Sequence, residues 1–129
     1  MAESNPVKPL REWILQMPDV TEALHRFGGT EFRVHGLEFM HSHGPRYLDI
    51  RLSKEDQKAV LREGKAERHR AEYHHQAGWV SLRIGSEHDV EMAREVIKIA
   101  YNNAKQLAPQ HRSRRLNLAS GTAKNTSVL

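Results

Sequence analysis

Leu10, Trp13, Ile14 and Met17 recur at helical spacing, and Pro9 suits the first turn of the helix they predict. Pro18 stops that helix. Asp19 is placed to cap a second, short one carrying Val20, Ala23, Leu24 and Phe27, which Gly28 and Gly29 end. From residue 31 the period falls to two. "EFRVH" (31–35) sets Phe32 and Val34 on one face, and Gly36 marks a turn. "LEFMHSH" (37–43) reads as the next strand and Gly44-Pro45 as the next turn. "YLDIRL" (47–52) alternates most cleanly, with Leu48, Ile50 and Leu52 inward and Tyr47, Asp49 and Arg51 outward.

Ser53 with Asp56 three residues on reads as a capping box, opening a helix through Ala59, Val60 and Leu61 that Gly64 ends. Residues 65–77, "KAERHRAEYHHQA", follow no period and read as a loop or an irregular edge strand. "GWVSLRI" (78–84) is a strand with Val80, Leu82 and Ile84 inward and Trp79, Ser81 and Arg83 outward. Ser86 and Asp89 cap a long helix to about Leu107, whose stripe is Val90, Ala93, Ile97, Ala100, Tyr101 and Ala104. Pro109 closes it. The order is α-β-β-β-α-β-α: a small antiparallel sheet, a meander plus one later strand, with helices packed on it. That is an α+β fold. Residues 1–8 read as a flexible start, 9–108 as one domain and 109–129 as a basic, disordered tail.

Composition narrows the chemistry more than the fold. The 129 residues contain no cysteine, which excludes disulfides, thiolate catalysis and cysteine-held zinc or iron–sulfur sites. Any metal must be held by His, Asp or Glu. The net charge of +4 is misleading as a sign of nucleic-acid binding. Residues 1–108 carry 16 Lys/Arg and 16 Asp/Glu, so the whole excess is Arg112, Arg114, Arg115 and Lys124. Neither a cleavable leader nor a membrane span is legible, and a cytoplasmic location is the expectation.

The densest chemistry lies in "HGLEFMHSHG" (35–44). His41 and His43, two apart on a strand, project to the same side with Cα atoms roughly 6.5–7 Å apart. Two imidazoles so placed can share one divalent metal ion. Asp49 on the following strand is within reach of a hairpin, and His35 and Glu38 flank the preceding turn. The same groups suit proton transfer in a metal-free pocket. In the plainest reading the two histidines only finish a strand edge, sharing a face with Leu37 and Phe39 at the core's rim. A cupin reading fails, because Arg46, Tyr47 and Leu48 stand where that motif requires glutamate. His69, His74 and His75 crowd the aperiodic segment, and Trp79 is either a stacking platform for a flat ligand or a lid on a minor core. No motif favours any one Ser/His/Asp triad, so whether the protein is an enzyme stays open.

Taken in order, "FGGTEF", "HGLEFMHSHG", "LDI", the glycine-ended helix at Gly64, His69, "GWVSLRI", Asp89 and "AY" (100–101) resemble the small luciferase-domain family of bacterial and fungal genomes. The likeness spans about residues 10–104. The family label implies no defined reaction or cofactor, and light emission does not follow from it. It directs attention to His35, Glu38, His41, His43, Asp49, His69 and Trp79. The path of strand, capped helix, polar loop with "GWVS" and long helix also resembles YjbR-like double-wing proteins. The histidine-rich hairpin and the uncharged body depart from that pattern.

The leading expectation is a domain that binds a small molecule or a divalent metal ion where the "HSH" hairpin meets residues 69–75. His41 and His43 would be metal ligands or proton carriers, Asp49 an orienting carboxylate, and His35, Glu38, His69 and Trp79 further ligand contacts. The alternative is a non-catalytic nucleic-acid or protein interaction module using the tail and the outward Arg46, Arg51, Arg62, Arg68, Arg70 and Arg83. No membrane partner is expected.

Overall fold

The computed structural model describes residues 7–24 and 28–120, with side chains for 8–24 and 28–107. Its elements in chain order are α1 (Val7–Leu15), β1 (Val20–Leu24), β2 (Thr30–Val34), β3 (Leu37–His43) and β4 (Tyr47–Arg51). There follow α2 (Lys54–Arg62), β5 (Glu67–Arg68), α3 (Glu72–Gln76), β6 (Trp79–Arg83) and α4 (Glu87–Ser120). The six strands form one antiparallel sheet in the order β1-β2-β3-β4-β6-β5. The expected α+β class and order of elements are present, with β1, β5 and α3 added.

Each addition has a local cause. The apolar spacing of Val20, Ala23 and Leu24 suits a helix, yet residues 20–24 pair along the whole of β2 as an edge strand. Asp19, at φ 65°, turns the chain sharply after α1, and two β-branched residues begin the strand. The open edge of β2 outweighs helix propensity. Phe27, expected at the end of that helix, lies outside the described residues. In the segment 65–77, Glu67 and Arg68 do form a short edge strand on β6, but the following EYHHQ is a helical turn and a half. Pro109 does not end α4. A proline keeps a helical φ and removes only one hydrogen bond, so it interrupts rather than forbids a helix.

The sheet has two unlike faces. One carries Phe32, Val34, Met40, Leu48, Ile50, Val80 and Leu82, all buried against helices. There α1 contributes Leu10 and Ile14, and α4 contributes Ala93, Val96, Ile97, Ala100, Tyr101 and Ala104. The Tyr101 ring meets Phe39 edge to face at 5.9 Å, and its hydroxyl donates to Pro18 O at 2.8 Å. The predicted caps are made: Asp56 N–H donates to Ser53 Oγ at 3.0 Å, and Asp89 N–H to Ser86 Oγ at 3.2 Å. Beyond Arg62, Lys65 N–H returns to Val60 O and Gly64 N–H to Leu61 O, with Gly64 at φ 72°. That is the glycine C-cap read from the sequence. The opposite face of the sheet is polar, and α3 lies across its β6 end. Among the described residues no helix is long and apolar enough to cross a membrane.

Candidate metal centre

The polar face is built by a register change inside β3. The hairpin from β2 turns on His35 and Gly36, at φ 53° and 84°, the two left-handed residues of a type I′ turn. Val34 then pairs with Leu37 and Arg33 with Glu38, but Phe32 pairs with Met40. Phe39 is the extra residue of a β-bulge. Both Phe39 and Met40 turn into the core, and the alternation restarts one residue out of step. His41 and His43 therefore share the face of Glu38, not that of Leu37 and Phe39 as strict alternation requires. Only this lets Glu38 and His41, three apart on a strand, meet on one side.

Cross-strand pairing completes the face. His41 lies opposite Asp49 of β4, Asp49 opposite Ser81 of β6, and Arg51 opposite Trp79. Asp49 is the hub. Its Oδ2 stands 3.0 Å from His41 Nε2, 3.1 Å from His43 Nε2 and 3.4 Å from His69 Nε2. Its Oδ1 accepts from Ser81 Oγ at 2.7 Å. The other ring nitrogen of His41, Nδ1, bonds Glu38 Oε2 at 2.9 Å. The imidazole of His41 also packs on Trp79, centroids 4.9 Å apart, and edge-on against His43 at 4.5 Å. His41, Asp49, Ser81 and Trp79 are all buried. His41, Asp49 and Trp79, with Glu38, His43, His69, Tyr73, His74 and the Glu31, Arg33 and Arg51 side chains, surround an open cavity of about 570 Å³, and Ser81 supports Asp49 from outside its wall.

Charge follows from these contacts. Burial works against a charged His41, but the bonds to Asp49 and Glu38 outweigh it and raise its pKa to about 9. Burial likewise opposes the Asp49 carboxylate, and the bonds from His41 and Ser81, with the nearby His69, lower it to about 2. Burial lowers His74, helped by His69, whose ring it stacks on at 4.9 Å. Without an ion, His41 is an imidazolium donating to two carboxylates.

Among the described residues, His41, His43 and Asp49 each offer a donor atom, all within 4.8 Å of one another. Ligands bound about 2.0–2.1 Å from a tetrahedral ion stand about 3.3 Å apart, close to the separations around Asp49 Oδ2. Losing its Nε2 proton turns His41 into a ligand whose Nδ1–H still points at Glu38. A carboxylate behind a metal-bound imidazole fixes its ring in this way. His69 is placed differently. Ala71 N–H donates to its Nδ1 at 3.0 Å, so a neutral His69 carries its proton on Nε2, which faces Asp49 Oδ2 from 3.4 Å.

A family model, described as the luciferase domain, matches residues 36–100. That is half of the chain. The chain belongs to the luciferase-domain family. Among curated proteins none matches it. The span of the luciferase domain takes in Glu38, His41, His43, Asp49, His69 and Trp79, so the whole cluster lies within it.

Of the residues singled out in the sequence, these six converge on one cavity, and His35 does not join them. It sits in the β2–β3 turn with Nε2 3.4 Å from Asp19 Oδ2. His75 turns away too, its Nδ1 3.2 Å from the Gln57 side-chain amide. Sequence reasoning passed over Glu31, Arg33, Tyr73 and the bridging role of Ser81. The doublet Phe39-Met40 inside an otherwise alternating strand was the available signal of a bulge, and with it of the true face of His41.

Proposed function

We propose that this luciferase-domain protein binds a divalent transition-metal ion through His41 Nε2, His43 Nε2 and Asp49 Oδ2. The observation that carries the reading is the convergence of three imidazole Nε2 atoms on one buried carboxylate oxygen. Two of these nitrogens are within hydrogen-bond distance of the oxygen and the third stands at 3.4 Å, a crowding of ring nitrogens around one acceptor of two lone pairs. A cation among the nitrogens relieves that crowding by replacing protons. Two imidazoles and a carboxylate suit the borderline metals from iron(II) to zinc rather than calcium or magnesium. Glu38 orients His41, Ser81 holds Asp49, and Trp79 walls the site. Three protein ligands leave positions open toward the cavity, the pattern of sites that admit a small molecule.

Zinc titration with a competing chelator tests this residue by residue. Asp49→Asn removes a ligand and is expected to abolish tight binding. Glu38→Gln keeps all three ligands and is expected to weaken it by about 10–100-fold. Equal affinity in wild type and Asp49→Asn contradicts the assignment.

A further inference from the structure

A second cavity of about 610 Å³ adjoins the first, and the two share Glu38, Arg51 and Ala77 in their walls. Its character is different. Leu37, Phe39, Leu52, Ala104 and Leu107 supply an apolar floor, and Leu107 is 45% exposed. Leu107 extends that apolar floor to the outer rim of the groove.

Arg51 stands at the junction. It lies two residues from Asp49 on the same face of β4, about 6.5–7 Å along the strand from it. Among the described residues its one side-chain hydrogen bond is from Nε to Ala77 O, at 3.3 Å. Arg33, the other arginine of the polar cavity, is already paired with Glu31. The terminal nitrogens of Arg51, in no ion pair among the described residues, are donors for an incoming anion, and a planar fork of that kind matches a carboxylate. On the groove side, Lys54 adds a second positive charge.

We infer that the ligand of this site is a carboxylate with a hydrocarbon body. Its head lies between the open metal positions and Arg51, and its chain lies in the groove of Leu37, Phe39, Leu52, Ala104 and Leu107. The inference rests on the metal reading and extends it. The two cavities meet at Arg51 and at Glu38, whose Oε2 is already bonded to His41 Nδ1, so the Arg51 guanidinium is the charge there that faces a ligand, which favours this occupant over the protein's own C-terminal residues.

The cobalt(II)-loaded full-length protein provides the test, its visible absorption reporting the ion. Acetate, hexanoate and decanoate are titrated against it. Burying methylenes on a half-open groove is worth roughly twofold each, so affinity should rise about 16-fold from acetate to hexanoate and again to decanoate. Leu107→Asp should erase that rise and leave acetate unchanged, whereas Arg51→Gln should weaken all three alike. Cobalt bands that form but respond equally to the three acids overturn this inference alone and leave the groove to another occupant. Absence of cobalt bands before any acid is added overturns the metal reading, and this inference with it.

Discussion

His41 concentrates the physical argument in one side chain. It is buried, yet both ring nitrogens face carboxylates, so its charge is held by geometry and not by water. An imidazole with an unfolded value of 6.5 and a folded one of about 9 stabilises the fold fully below about pH 6.5. That contribution is lost as the pH rises through about 9, where the folded ring also gives up its proton. Asp49 works in the opposite direction. Its contribution is present above about 3.8 and lost as the pH falls through about 2. The melting temperature of the metal-free protein should therefore be highest between about pH 4 and 6.5 and decline toward pH 9. His41→Gln, which cannot titrate, should lie lower and run flatter over that alkaline range. A wild-type profile that climbs from pH 6.5 to 9 would show that the two carboxylates do not hold this proton. The pair His41 and His43 was legible from the strand period, and Asp49 from the hairpin. The contact with Glu38 was not, because a strict period of two sends residues 38 and 41 to opposite faces.

At the scale of elements, the site depends on how α3 is fastened. This short helix has no buried residue and no side-chain cap of its own. It is held from behind by Gln57 of α2, which is 1% exposed and whose Nε2 donates to His75 O at 2.8 Å and Trp79 O at 3.0 Å. Lys54 adds a bond to the same His75 carbonyl at 3.1 Å. Gln57→Leu leaves a buried carbonyl without its donor and should cost about 1–3 kcal/mol, with amide exchange speeding most over residues 69–77. Gly78 closes the same segment. It sits at φ 101°, and a Cβ there would stand 2.0 Å from Leu52 O. Gly78→Ala should accordingly destabilise by well over about 1 kcal/mol in denaturant unfolding. A near-neutral result at both positions would mean that α3 is held by something else. The sequence showed nothing of this. Its 65–77 segment has no period because β5 and α3 take their order from Gln57 and β6, not from an apolar stripe of their own. The capped helices, by contrast, were readable because Ser53, Ser86 and Gly64 act on neighbours three or four residues away. The edge strand β1 was misread because its partner, not its own pattern, decides its form.

For the whole molecule, the two faces of one sheet divide the labour, with α1, α4 and the core on one side and the titratable chemistry, under α3, on the other. The surface offers little to nucleic acid. Residues 1–108 carry no net charge, and several of the outward arginines are engaged. Arg68 pairs with Glu72, Arg83 lies over the Tyr47 ring at 5.9 Å, and Arg46 reaches Ile84 O at 3.4 Å. Only the four tail charges remain as an unbalanced set. Any duplex DNA binding should then show a slope of log K against log salt no steeper than about −4. A much steeper slope would reveal a basic surface on the folded body. The central claim is the ion, and elemental analysis after zinc loading and dialysis measures it directly. The wild-type protein should retain one equivalent and His41→Gln/His43→Gln none. A wild type that retains no stoichiometric metal, or a double variant that retains as much, would contradict the account.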